Sequence, residues 1–255
     1  MIKKGMIVLA GAFLLAAAIF FFQRFYVEEE GKAYGESNPA KESVLPQASL
    51  IFSENPEEEN LAGMLQEETS GMMVQVLARG SGGSGILYNG DENELTVLTA
   101  AHVLGQENES VWVVFADGWA VECQVYEKAA DADLAFLSVP VSDIPKEHLE
   151  TYCRAAVDKE SYDFLEAGDG VIVMGSYGGP GENAYEGTLQ ETWVYLEDFS
   201  QYMMLIKAPA VQGMSGGGVF DLNGHFIGLL CGGNENGELA ALPLALIEAE
   251  YEEQN

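Results

Sequence analysis

The sequence predicts an antiparallel all-β domain, a sandwich or a pair of barrels, behind an apolar N-terminal run and an acidic linker. Three observations carry that prediction. From Gly71 onward the chain breaks into about eleven short runs rich in Val, Ile, Leu, Phe and Tyr, such as "MMVQVLAR", "ELTVLTA", "SVWVVFAD" and "HFIGLLCG". Gly, Asn and Asp punctuate them, with Asn-Gly turn signals in "LYNGDENEL" and "FDLNGHF". No regular helices fall between the runs, which argues against βαβ units. Two segments read as helices: "PKEHLETY" (Pro145–Tyr152) and the amphipathic tail "PLALIEAEYEEQ" (Pro243–Gln254).

The chain opens with Lys3 and Lys4 and then runs without a charge from Gly5 to Phe22. That is near the lower limit for a bilayer-crossing helix, which needs about 17–25 residues. The two lysines stay on the cytoplasmic side under the positive-inside tendency, so the rest is exported. Residues 1–26 are thus expected to be a single-pass signal anchor in the cell membrane. The alternative is a cleaved signal peptide with Ala16–Ala18 as its small-residue site, which would release a secreted protein. The apolar "IFFF" beyond that site favours the anchor.

Residues 27–69 are acidic and punctuated by Pro39, Pro46 and Pro56, the composition of a tether. One short helix is expected near Glu57–Gln66. Within the tether, "SVLPQASLIF" is apolar enough to dock on a folded surface. Residues 70–255 form the globular part, and a hydrophobic fraction of 48% suits a packed core.

Charge excludes some partners. The formal net charge is -30, and none of the 41 acidic residues precedes Glu28. Such a surface repels phosphate backbones and anionic lipid, so no nucleic-acid partner is expected. Cys123, Cys153 and Cys231 have no metal-ligand spacing, and their odd number implies no complete disulfide framework. They read as small apolar fillers, with no metal or cofactor expected.

The chemistry gathers around "QGMSGGGVFD", Gln212–Asp221, a serine among glycines before a strand. Ser215 needs a base and an orienting acid. His102 ends an apolar strand in "TVLTAAHVLG". His148 lies in the charged helix and reads as a solvated face residue, and His225 as a hairpin position. Asp133, in "DADLAFLSVP", immediately precedes a buried-looking strand, with Asp131 the competing carboxylate. "GMSGG" also fits the G-x-S-x-G pattern of α/β-hydrolases. That fold needs acid and then His after the serine, for which the ten residues to His225 leave no room. The order His, Asp, Ser on a β-rich chain is a different arrangement of the same triad.

"TAAHV", "DLAFL" and "GMSGG" resemble, in order and surroundings, the signature of chymotrypsin-fold (trypsin-like) serine peptidases, nearest to the bacterial HtrA/Deg branch. "EAGDGVIVMGSYGG", "EGTLQE" and "FIGLLCGG…GELAALPLALI" resemble that branch's later segments, so the likeness runs from about Met72 to Glu250. It implies two antiparallel six-stranded β-barrels with a C-terminal helix. The cleft between them would hold His102 and Asp133 from the first barrel and Ser215 from the second. It further implies an oxyanion hole from the backbone N–H groups of Gly213 and Ser215. A pocket would be lined by Pro209, Ala210, Val211, Gln212, Cys231, Gly232 and Gly233. With no charge at its base, that pocket should favour a small or medium apolar residue of a protein or peptide substrate.

Two departures stand out. Met214 occupies the position where digestive members carry an aspartate that pairs with a freshly cut N-terminus, so activation by that route is not expected. The sequence ends at Asn255, so the PDZ domain usual in HtrA proteins is not expected either. The expected function is a membrane-tethered extracytoplasmic serine endopeptidase. The rivals are a catalytically latent peptide-binding or sensor module on the same scaffold and, more weakly, an esterase.

Overall fold

The computed structural model describes residues 44–48, 63, 69–105, 110–129, 132–176, 183–234 and 236–253. All belong to one compact unit, Ser43–Asn255. The expected anchor (1–26) and most of the linker lie outside the described residues, as does the helix expected near Glu57–Gln66 except for Gly63, which is helical. Among the described residues no helix is long and apolar enough to cross a membrane.

The strands are β1 (Met73–Ala78), β2 (Ser81–Gly90), β3 (Glu94–Thr99), β4 (Val111–Val114), β5 (Ala120–Lys128), β6 (Ala135–Pro140), β7 (Gly170–Gly175), β8 (Asn183–Leu196), β9 (Gln201–Lys207), β10 (Gly218–Asp221), β11 (Phe226–Gly233) and β12 (Glu238–Pro243). They close into two antiparallel barrels, in the orders β1-β2-β3-β6-β5-β4 and β10-β11-β12-β9-β8-β7. Closure leaves neither sheet with an open side over its core. Short α-helices accompany the barrels: α1 (Lys146–Leu149), α2 (Lys159–Asp163) and α3 (Leu244–Glu253).

β7, "GVIVMG", shows why its sequence is a continuous apolar run rather than an alternating one. Val171 and Val173 point into the second barrel with Leu189, Ile206 and Val219. Ile172 and Met174 face the other way and join Phe220, Phe226 and the first barrel's interior in one core. Both faces of the strand are therefore buried, and each such side chain contributes about 1.5–3 kcal/mol. α3 braces the junction from outside. Tyr251 accepts a bond from Asn89 Nδ2 on β2 at 2.9 Å and packs edge-on against Tyr88 at 5.3 Å.

The structure corrects three sequence readings. The first turn signal is misplaced: Asn89 and Gly90 are the end of β2, and the turn is made by Asp91, whose Oδ1 accepts from the amides of Asn93 and Glu94. "ELAALP" is a strand that residue pattern alone did not single out. Its Ala and Leu residues carry little β preference, and pairing with β9 and β11 imposes the conformation. His148 is not a solvated face residue. Its Nδ1 meets Asp117 Oδ2 at 2.6 Å, its ring lies 4.7 Å from that of Trp119, and Tyr152 donates to the same carboxylate. Burial pushes the Asp117 carboxyl up, but bonds from Trp119, His148 and Tyr152 outweigh it and hold it below its usual value.

The apolar insert of the tether does find a dock. Leu45 is buried in the first barrel's core. The backbone either side is held by bonds from Val44 N to Gly90 O, Arg154 N to Pro46 O and Ala48 N to Arg154 O.

Candidate active site

Strand register explains how His102 and Asp133 meet. β3 and β6 are antiparallel with Thr99 opposite Ala135, so residues just after Thr99 lie beside those just before Ala135. The chain leaving β3 turns into a single 3-10 turn, Ala101–Leu104, which carries His102. Asp133 grips it twice. Its Oδ2 lies 2.7 Å from the imidazole Nδ1, and its Oδ1 accepts the His102 backbone N–H at 3.0 Å. Two contacts from one carboxylate fix both the place and the plane of the ring. The bond to Asp133 raises the His102 pKa, against a smaller opposing effect of burial. Asp131 lies outside the described residues.

Ser215 arrives from the second barrel, on the turn before β10. Met214 N donates to Val211 O at 3.3 Å, and Gly213 at the third position has φ +96°. That is a type II turn, a conformation strongly disfavoured for residues with a side chain. Neither the Gly213 amide nor the Ser215 amide has an acceptor among the described residues. They are the two N–H groups the resemblance names. Met214 is buried in the second barrel's core, its sulfur accepting from Val211 N at 3.4 Å. An apolar anchor thus stands where digestive relatives use an ion pair.

The two halves meet at β2. A Cβ on Gly83 would lie 2.7 Å from Val103 Cγ2, beside His102, and 2.7 Å from the Ser215 carbonyl oxygen. Only a glycine lets the barrels approach this closely. Next to it, the fully buried Ser84 is a junction. Its amide donates to Ser215 O at 2.8 Å, and its hydroxyl donates to Gly213 O and accepts from Ser176 N, both at 2.7 Å. Its own carbonyl accepts from Thr99 Oγ1 at 2.7 Å, at the end of the strand that leads to His102. One residue therefore ties the His102 side to the carbonyls that flank Met214.

Cys231 closes the ring. The Ser215 hydroxyl donates to its carbonyl at 3.5 Å, and its thiol donates to the Asp133 carbonyl at 3.7 Å. The hydroxyl thus points to Cys231, and no hydrogen bond joins it to His102. Burial pushes the Cys231 thiol well up, so it stays protonated, as do Cys123 (up to about 12) and Cys153 (up to about 11). All three cysteines are free.

Of the expected pocket, Pro209, Ala210, Val211 and Gln212 form an exposed segment leaving β9, while Cys231 is buried and Gly232 and Gly233 end β11. The amide of Gly216 bonds Leu230 O at 2.7 Å, which holds the Ser215 turn against the Cys231 end of that strand. Sequence reasoning missed two contributors. Ser84 and its three backbone partners are far apart in the chain, so no local pattern shows them. Phe199, from the turn between β8 and β9, places its ring edge 3.3 Å from where a Cβ on Gly232 would be, walling that side. Among the described residues no cluster of three or more His, Cys, Asp or Glu is placed to hold a metal ion.

Comparison with known proteins agrees with this frame. The model of the trypsin-like peptidase domain matches residues 83–229. The crystal structure of the Rv3671c protease, in an inactive form, is similar at 21% identity and TM-score 0.60, over 83% of this chain and 100% of that one. A second structure of Rv3671c, from M. tuberculosis H37Rv, is a serine-to-alanine mutant in an inactive form. It is similar at 20% identity and TM-score 0.58, over 82% and 96%. No curated protein matches the sequence. Two closed barrels, joined where the segments of His102, Asp133 and Ser215 converge, lie under a family match that spans all three: the chain belongs to the trypsin-like peptidase domain family.

Proposed function

We propose that this chain is a serine endopeptidase of HtrA/Deg type, tethered to the membrane by residues 1–26 with its catalytic domain outside the cytoplasm. The observation that carries the reading is the two-point grip of Asp133 on His102, beside a serine flanked by two unpaired amides.

Ser215 Oγ turns about χ1 from the Cys231 carbonyl to His102 Nε2, gives up its proton there and attacks the scissile carbonyl carbon. The carbonyl π pair moves onto oxygen, and the Gly213 and Ser215 amides stabilise that charge. Collapse expels the amine, which takes the proton from His102, and leaves an acyl ester on Ser215. Water, deprotonated by the same imidazole, releases the acid and restores the serine. Asp133 holds the proton-bearing Nδ1 throughout, so Nε2 always faces the nucleophile. The uncharged segment Pro209–Gln212 supports a preference for small or medium apolar residues before the cut.

The Ser215–Cys231 bond favours a second reading, a latent peptide-binding module. Labelling the full-length chain with a fluorophosphonate separates the two. Covalent labelling that Ser215→Ala abolishes is expected; a folded wild-type chain that never labels would favour the latent module.

The pH profile is a further check. His102 acts as a base only when neutral, and its bond to Asp133 raises its pKa. The labelling rate should therefore climb with pH, with a midpoint above the roughly 6.5 of free imidazole. A midpoint at or below that value would mean that Asp133 does not bear on the reacting ring.

A further inference from the structure

We propose that the β8–β9 ribbon is a docking surface for an extended, Lys/Arg-bearing polypeptide segment, the part of a substrate lying away from the bond that is cut. The inference rests on the peptidase reading only for calling that partner a substrate.

β8 pairs with β7 only from Asn183 to Thr188, and β9 pairs with β12 only from Met204 to Lys207. The two strands nevertheless stay paired with each other as far as Leu196 opposite Gln201. Their distal parts form a two-stranded ribbon beyond the barrel, and the outer edge of β8 after Leu189 has no strand neighbour among the described residues. An unpaired edge offers backbone N–H and C=O groups to an added strand. The ribbon's inner side is anchored, with Met203 buried and Leu196 and Phe199 packed on the core.

Its outer side is aromatic. Trp193, Tyr195 and Tyr202 are 43%, 51% and 39% exposed. Trp193 stacks on Tyr202 at 5.3 Å, and Tyr195 meets Tyr202 edge-on at 5.4 Å. Rings ordered by one another but open to solvent form a prepaid surface for aliphatic stems and cationic heads.

Charge selects the occupant. Glu191, Glu197 and Asp198 are exposed on the distal ribbon, whose sequence from Leu189 to Met204 has no Lys, Arg or His. Lys207 is the only Lys or Arg in the sequence after Lys159, and its ammonium is held by the Asn236 carbonyl. A basic segment is drawn to this surface, while the acidic linker of the same chain, nucleic acid and anionic lipid are repelled. Phe199 beside Gly232 places the ribbon's tip at the expected pocket, so one polypeptide can reach both.

The test uses the full-length chain carrying Ser215→Ala and a fluorescent peptide of about 12 residues alternating Lys and Val, with a Glu/Val peptide as control. The Lys/Val peptide should bind, weaken with added salt, and weaken about tenfold when W193A and Y195A are introduced together. The Glu/Val peptide should not bind. Equal binding of the two peptides, or undiminished Lys/Val binding by the double variant, would overturn the proposal. So would failure of the Lys/Val peptide to bind while the chain self-associates through Trp193 and Tyr195, which would assign the face to a second copy. Fluorophosphonate labelling of the chain with Ser215 intact reports separately on the peptidase reading, and W193A/Y195A should leave it unchanged.

Discussion

Replacing Asp133 by Asn should slow fluorophosphonate labelling of Ser215 by about 10⁴-fold while leaving the fold intact. Asparagine is nearly isosteric, so its oxygen can still accept the His102 backbone N–H that Asp133 Oδ1 now holds at 3.0 Å. The second oxygen, 2.7 Å from Nδ1, becomes an NH₂ group. Two donors cannot face each other, so the imidazole must leave Nδ1 bare and carry its proton on Nε2. The nitrogen that should take the Ser215 proton then has no lone pair to offer. The imidazolium also loses its counter-charge. Labelling rates measured alongside thermal unfolding decide the matter: a loss smaller than about tenfold in a folded variant would remove Asp133 from the triad.

Ser84→Ala should act through a different route and touch stability as well as rate. The missing hydroxyl leaves the Gly213 carbonyl without its donor and the Ser176 amide without its acceptor. Ser84 is fully buried, so water cannot replace either bond, at about 1–3 kcal/mol for each orphaned group. For a domain of this size that corresponds to a melting point lower by roughly 4–24 °C. The Ser84 amide still holds the Ser215 carbonyl, so the two barrels should stay joined. What loosens is the turn that aims the Gly213 and Ser215 amides. Losing one well-placed donor of this kind costs about 10²–10³-fold in rate. A partial loss of aim should therefore slow labelling by about 10–100-fold. Unchanged labelling in a destabilised but folded Ser84→Ala chain would reduce Ser84 to a purely structural tie.

What could be read from the sequence follows from how local each signal is. Strands such as "VWVV" and "GVIVMG" are written in β-branched residues over a few positions, so most were visible without coordinates. "ELAALP" was visible only through the resemblance and not in its own pattern, because its neighbours β9 and β11 decide its conformation. Asn89-Gly90 misled for a related reason. The dipeptide favours a turn, but the barrel needs two more paired residues and passes the turn to Asp91.

The triad candidates were legible because each sits at a strand boundary with a short distinctive flank. His148 was misjudged because the groups that hold it, Asp117 and Trp119, come from a turn in another part of the chain. Ser84 lay beyond sequence reasoning for the same cause, as did the bonds of Cys231, a residue the resemblance names only for the pocket. Each acts on backbone atoms, which have no signature in the order of side chains.

The brace made by α3 bears on when such an enzyme can first become dangerous. Of the elements described it is the last to leave the ribosome, yet its Tyr251 packs on β2, the strand whose Gly83 and Ser84 seat the Ser215 turn. A nascent chain holding only the first barrel has the imidazole and its carboxylate but no hydroxyl to activate. On the peptidase reading, competence to cut should thus arise in one step, when the second barrel folds onto the first.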